Sequence, residues 1–373
     1  MIGDASATPR LRDALAQGID RGLHLGAVAY IEHAAAPLAA FAVGDARPGQ
    51  SLTPDHLVPL MSMSKPLTAM AVALLVQQGD LDLDAPVATY IPAFAQRDKH
   101  HLTPAHLLTH TAGLRASPFN FPDDAWPTIL DKINAMAVEP RWSVGQDAGY
   151  SPQTGWFVLG ELVARVAQAP LPEFLRARIF DPLDMPDTFV GMPDDDYTRL
   201  EPRIAPIFDT IPDQPAEQRV SGRAWATGVR PGGNGIGTLA DLARFYRALL
   251  DTLAEERDHP WSADTVRRFT ARTRTDTFDR TFKHAMDWGL GFMLNNARHG
   301  LDTAPYNFGP AASDDAFGHG GYRSSIVFAD PPRDLVVALF FNGWPTEAAH
   351  HRRANAALAA LEADLAESLS PRP

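Results

Sequence analysis

The chain is predicted to adopt an α+β fold: an antiparallel sheet flanked by helices, with an inserted, mainly helical domain. Three observations predict it. Strand-like runs gather near the two ends of the chain, helical runs fill the middle, and no internal repeat or low-complexity tract breaks that order. Strands and helices grouped apart, rather than alternating, fit an antiparallel sheet closed by both chain ends. On this reading residues 1–60 and 285–373 form the α/β domain around the sheet. Residues 61–284 form the mainly helical domain with long loops, and a cleft lies where the two meet.

In chain order, residues 9–22 place Leu11, Ala14, Leu15 and Ile19 at helical spacing. GAVAYIEH (26–33) and LAAFAVGD (38–45) read as strands joined by a short AAAP connection. LVPLMSMSKPLTAMAVALLVQQGDLDLD (57–84) contains an apolar helix stopped by Gly79. LTPAHLLTHTAGL (102–114) reads as a helix started by Thr103-Pro104 and stopped by Gly113. Two further helices cover residues 154–168 and 238–253. Residues 192–222, rich in Pro and Asp, read as a long surface excursion. Strands return at 288–294, 324–330 and 334–342, the last two linked by Pro331-Pro332-Arg333, and a helix over 346–368 closes the fold.

Composition narrows the function. In 373 residues, 33 Lys and Arg face 45 Asp and Glu, a net charge of −12. Phosphate binding needs clustered cations, so nucleic acid is excluded as a partner. The basic cluster His350-His351-Arg352-Arg353 reads as an exposed helix face. There is no cysteine, hence no disulfide, thiolate metal site or cysteine nucleophile. No segment reaches the roughly 18 uninterrupted apolar residues of a membrane helix. MIGDASATPRLRDALAQ lacks the apolar core of a leader. A cytoplasmic protein is expected, with a small-molecule substrate, no membrane partner and no cofactor; the oligomeric state is open.

Within 57–84, three polar residues open an apolar helix: Ser62, Ser64 and Lys65. Residues i and i+3 on a helix are neighbours, with side-chain origins about 5–6 Å apart, so Ser62 and Lys65 face each other. A first-turn serine has unpaired backbone N–H groups beside it that favour a developing anion. A partly desolvated lysine loses its proton near neutral pH and can accept one from the hydroxyl. Pro66 fits a helix start, where its missing N–H has no partner to lose. The same residues also suit a plain arrangement in which Ser62 caps the helix and Lys65 snorkels to water.

SMSK (62–65), LLTHTAGL (107–114), DAGYSPQTGWFVLGELVARV (147–166), GGNGIGTLADLARFYRALL (232–250) and FGHGGYRSSIVFADP (317–331) occur in this order. Together they resemble the serine β-lactamase and penicillin-binding-protein superfamily. The branch resembled is the class C β-lactamase-related one, with its family VIII carboxylesterase-like hydrolases and transacylases. The similarity runs from about residue 25 to residue 342. It implies a β-lactamase/transpeptidase-like fold, with Ser62 as acyl-accepting nucleophile and Lys65 as its activating partner. Tyr150 would be a general acid or base, its phenolate held down by Lys65. His319-Gly320-Gly321 would be the edge-strand triad, with the oxyanion held by the backbone N–H groups of Ser62 and Tyr322. The two glycines would leave room for a substrate acyl group.

Two departures from the pattern bear on substrate. Pro152 stands where the family has Asn, removing an amide that positions substrate and lysine. His319 replaces Lys and is largely neutral at pH 7. Both point from β-lactams towards an ester, thioester or less demanding amide. The expected activity is that of a serine hydrolase, a carboxylesterase on a small ester. The alternatives are an acyltransferase (transesterase) or amide hydrolase, and an inactive relative that binds a ligand.

Other polar residues carry two readings each. Tyr150 and His319 also suit a buried structural role. Ser151 before Pro152 suits a turn as well as a donor to substrate. Arg323 suits a substrate carboxylate or an ion pair with Asp314 or Asp315. His106 and His110, i and i+4, are placed on one helix face near His100 and His101, yet no HExxH pattern accompanies them and no metal is expected. PGGNGIG (231–237) lacks the Gly-Lys-Ser/Thr ending of a phosphate loop.

Overall fold

The computed structural model describes residues 5–211, 215–304 and 306–368. Residues 1–4 of the stretch read for a leader, and residues 212–214 of the long excursion, lie outside the described residues. Seven strands form one sheet in the order Met293–Leu294, Phe317–Gly321, Ser325–Asp330, Leu335–Phe341, Gly26–His33, Ala36–Arg47, Gln50–Ser51. Every neighbour pair is antiparallel. The two chain ends meet in the middle, where Ala29 lies opposite Leu339 and Ile31 opposite Val337. This is the α+β arrangement expected from the sequence.

Side chains on a strand alternate between faces, and here both faces are buried. Ala27, Ala29, Ile31, Val337, Leu339 and Phe341 pack with Leu11 and Leu15 of helix Pro9–Asp20 and with Leu358, Leu361 and Leu365 of helix Glu347–Ser368. Val28, Val336, Ala338 and Phe340 join a second core with helices Lys65–Gln78, Thr154–Ala167 and Leu239–Ala254. A sheet covered on both sides needs unbroken apolar strands, which accounts for LVVALFF at 335–341. Among the described residues, no helix is long and apolar enough to cross a membrane.

The structure corrects several boundaries. The α-helix expected to open at Ser62 does not begin there: Val58–Met61 is a strand paired with Gly235–Gly237, and Ser62–Ser64 is a single 3₁₀ turn. The α-helix proper is Lys65–Gln78, ended by Gly79 at φ 79°. A short apolar run does not by itself distinguish strand from buried helix. The helix expected over 102–114 is only Pro104–Leu108, capped by a reciprocal Thr103–His106 box. It ends because His110 turns the chain at φ 58°, so His106 and His110 do not share a helix face. The strand expected over 288–294 is only Met293–Leu294; Gly291, at φ 84°, presses against Ala69. The 192–222 excursion holds helix Asp194–Leu200 and a short strand pair, Phe208–Asp209 with Ala216–Glu217.

The basic cluster is not an exposed face. His350 and Arg353, one turn apart, are buried. The Arg353 guanidinium donates to the carbonyls of Arg323 (2.8 Å) and Gly343 (2.7 Å), tying the last helix to the sheet. Carbonyl acceptors satisfy a buried cation without a carboxylate, a pattern composition does not reveal.

Candidate active site

The strand Val58–Met61 delivers Ser62 to the floor of a cleft of about 680 Å³. Met61 sits at φ 50°, ψ −131°, a conformation that costs a non-glycine residue about 1–3 kcal/mol and persists only where its surroundings enforce it. Here they do. Ser64 Oγ donates to the Met61 carbonyl at 2.6 Å and accepts the Gly235 N–H at 2.9 Å. Ser64 is thus a clamp on the turn, while Ser62 points into the cleft.

Lys65 is fully buried. Its Nζ lies 3.0 Å from Ser62 Oγ, 3.0 Å from the Pro152 carbonyl and 2.6 Å from the Gly232 carbonyl. Burial pushes its pKa well below the ordinary lysine value, and the charge of Arg230 adds to the push. A neutral amine has two N–H bonds and one lone pair. The two carbonyls use the first, and the lone pair is left for the Ser62 hydroxyl. Pro152, lacking the amide of the family pattern, still holds the lysine through its backbone.

Tyr150 reaches the same oxygen from the other side, its hydroxyl donating to Ser62 Oγ at 2.7 Å. Its backbone N–H is fixed by Asp279 at 3.0 Å, and Asp279 is itself held by Arg274 at 3.0 Å. The ring stacks on Trp288 at a centroid distance of 5.7 Å. The expected phenolate is not supported. Lys65 Nζ lies over the ring, 5.1 Å from its centroid, rather than beside the hydroxyl. Burial raises the phenol pKa above its ordinary value; the Ser62 hydrogen bond and Arg230 offset this only in part. A neutral tyrosine is a proton donor.

Strand Phe317–Gly321 forms the facing wall. His319 is buried, its Nδ1 paired with the Gly320 carbonyl at 2.7 Å, and its Nε2 has no partner among the described residues. Burial first, and the charge of Lys65 second, lower its pKa to about 3, so the ring is neutral. The glycines answer to protein rather than substrate. A Cβ on Gly320 would meet the Tyr306 ring at 2.6 Å, and one on Gly321 would lie 2.1 Å from Ser325 Oγ and 3.0 Å from the Leu60 carbonyl. That fit brings the strand against the Leu60–Met61 backbone, with Tyr322 lining the cleft beside Ser62.

Three candidates leave the site. Arg323 is outside the cleft lining and pairs with neither Asp314 nor Asp315 among the described residues; it donates to the Pro345 carbonyl at 3.0 Å and stacks 4.5 Å over the Tyr322 ring. Ser151 Oγ donates to the Leu114 carbonyl at 2.7 Å. His110 accepts the Ser151 N–H at 3.1 Å. The last two fix the loop that carries Tyr150.

A serine held between an amine whose charged form burial disfavours and a phenol that burial keeps protonated is equipped for acyl transfer. The sequence profile of the Beta-lactamase family matches residues 11–362. The chain belongs to that family. It is 26% identical over 312 residues to the esterase/beta-lactamase LipL of Mycobacterium tuberculosis, covering 77% of this chain and 70% of that one. It is 28% identical over 327 residues to the esterase EstB of Burkholderia gladioli, covering 78% and 80%. A crystal structure of a family VIII carboxylesterase superposes with a TM-score of 0.78 at 25% identity, covering 96% of this chain and 99% of that one.

Reading the sequence missed several residues of this β-lactamase-family site. Arg230 lines the cleft, Gly232 supplies a carbonyl to Lys65, and Asp279 and Trp288 seat Tyr150. For the first two a signal exists: PGGNGIG opens the family-like run 232–250, and a Gly-rich turn brings backbone close to a buried side chain. For Asp279 and Trp288 the contacts span more than a hundred positions and left no local trace.

Proposed function

We propose that this β-lactamase-family chain is a carboxylesterase that acts on a small ester through an acyl-enzyme on Ser62. One observation carries the reading: Lys65 Nζ has two carbonyl acceptors and one hydroxyl within 3.0 Å, the number a neutral amine can serve while accepting the hydroxyl proton. Lys65 takes the proton as Ser62 Oγ bonds to the ester carbon. The N–H groups of Ser62 and Tyr322 receive the oxyanion. Tyr150 gives its proton to the departing alkoxide as the ester C–O bond breaks, and a water entering the cleft carries the Lys65 proton to the phenolate. Water then repeats the sequence on the acyl-enzyme, with Lys65 and Tyr150 again relaying the proton. The absence of charge on His319 supports an ester over a substrate whose carboxylate needs a cation at the triad. Phe282, Tyr306 and Tyr322 give the cleft an aromatic lining suited to an apolar acyl or alcohol group.

The size of the cleft favours a second reading, acyl transfer to a bound alcohol or amine in place of water. Intact-protein mass after brief exposure to p-nitrophenyl butyrate tests the first. A butyryl adduct with nitrophenol release in wild type, and neither in Ser62→Ala, is the expected result. No adduct and no release in wild type would replace the enzyme reading with a ligand-binding one. A butyrate ester formed with an added alcohol would favour transfer.

A further inference from the structure

Arg230 moves no proton in the acyl-transfer chemistry above, yet it lines the same cleft as Ser62 and Tyr150. Its guanidinium lies against Trp225 (4.8 Å from the ring centroid) and Phe121 (5.6 Å). Among the described residues it makes no ion pair and no side-chain hydrogen bond, and its Nε is buried without a partner. Guanidinium groups withdrawn from water are normally matched by a carboxylate or by carbonyls, as Arg353 and Arg274 are here. The carboxylate that does line the cleft, Glu347, lies 3.8 Å from His351.

The residue is also held rigidly. Its backbone N–H donates to Asn234 Oδ1 at 2.9 Å, and the buried Asn234 amide donates to the Trp225 carbonyl at 2.8 Å. Thr68 Oγ1 and Lys65 Nζ donate to the carbonyls of Pro231 and Gly232, both at 2.6 Å, anchoring the loop to the helix that follows the nucleophile. A planar five-donor fork, preorganised by aromatic faces and lacking an internal acceptor, matches a carboxylate.

We propose that Arg230 binds a substrate carboxylate, so that the preferred substrates are esters carrying a free carboxylate, such as hemi-esters of dicarboxylic acids. This deepens the esterase reading and rests on it. The carboxylate docks on the Arg230 fork while the ester carbonyl meets Ser62, and the aromatic wall takes the alcohol.

The test compares mono(4-nitrophenyl) glutarate with its methyl ester, which keeps the length and removes the charge. Wild type is expected to favour the free acid in kcat/KM. Arg230→Leu should lose roughly 10- to 100-fold more on the acid than on the methyl ester, the size of a hydrogen-bonded charge pair. Arg230→Lys, which keeps charge without the fork, should recover part of that difference. Equal losses on both esters, or no preference in wild type, would overturn the proposal. If neither ester acylates Ser62, the esterase reading fails by itself. Calorimetry of glutarate with Ser62→Ala and with Ser62→Ala/Arg230→Leu then decides: binding to the first alone upholds the anion site, and no binding or equal binding refutes it.

Discussion

Among the described residues two lysines are fully buried, and they differ in one partner. Lys65 faces Ser62 Oγ and two carbonyls. Lys99 faces three carbonyls, those of Gln96 (2.8 Å), Asn134 (2.8 Å) and Met136 (2.5 Å). In both, burial is the main cause of a depressed pKa and a neighbouring arginine the second: Arg230 for Lys65, Arg97 for Lys99, which is lowered to about 8. A carbonyl only accepts, so deprotonating Lys99 would leave one of its three acceptors bare. A hydroxyl can turn round and donate. Burial therefore produces a structural pin at one site and a base at the other, and the reversible partner makes the difference.

The comparison is broken most directly at Lys65. Lys65→Met should lower kcat/KM by on the order of 10⁶, the scale found when the base beside a serine nucleophile is removed. Its thermal midpoint should fall less than that of Lys99→Met, because only two carbonyls lose their donor. Retained turnover in Lys65→Met would mean that the hydroxyl does not need the amine. Next in size is Tyr150→Phe, which removes the second group on Ser62 Oγ and should lower kcat by roughly 10²–10⁴. An unchanged kcat would leave leaving-group protonation to water.

Lys99→Met makes the reverse prediction. Three carbonyls lose their donor, the Asn134 one at a buried contact and the other two at part-buried ones, and a buried acceptor left unpaired costs about 1–3 kcal/mol, so urea melts should show a loss of about 1–3 kcal/mol. Activity at 25 °C should stay within about twofold of wild type. A fall in activity with unchanged stability would erase the distinction between the two sites.

The same pair shows what the sequence made legible. Lys65 was visible because its essential partner is three positions away on one helical turn, and SMSK carries both. The sheet was visible because its strands are apolar, bounded by turns and placed at the chain ends. Lys99, in AQRDKHH, looks like any exposed charged turn; its burial depends on carbonyls at 134 and 136. His350 and Arg353 misled for the same reason, since their acceptors lie on Arg323 and Gly343. The state of Arg230 is not legible because an unpaired, half-buried cation is defined by what does not surround it. The strand Val58–Met61 is not legible in the sequence, because its four apolar residues have no period of their own.

The smallest predicted effect is a shift in pH dependence. Lys65 must be neutral to accept the Ser62 proton, so kcat/KM should rise with pH as Lys65 loses its proton, well below the ordinary lysine pKa of 10.5. His319, at about 3, adds no limb near neutrality. Tyr150, raised above the ordinary phenol value, should cause no decline up to about pH 10. Arg230 is a cation that disfavours the Lys65 ammonium. Without it the ammonium is less disfavoured, the lysine pKa rises, and the acid limb of Arg230→Leu should move to higher pH on a neutral ester. Lys99→Met should leave the limb where it is. A limb that stays fixed in Arg230→Leu, or moves to lower pH, would mean that burial alone sets the base, and Arg230 would then act on the substrate without tuning the lysine.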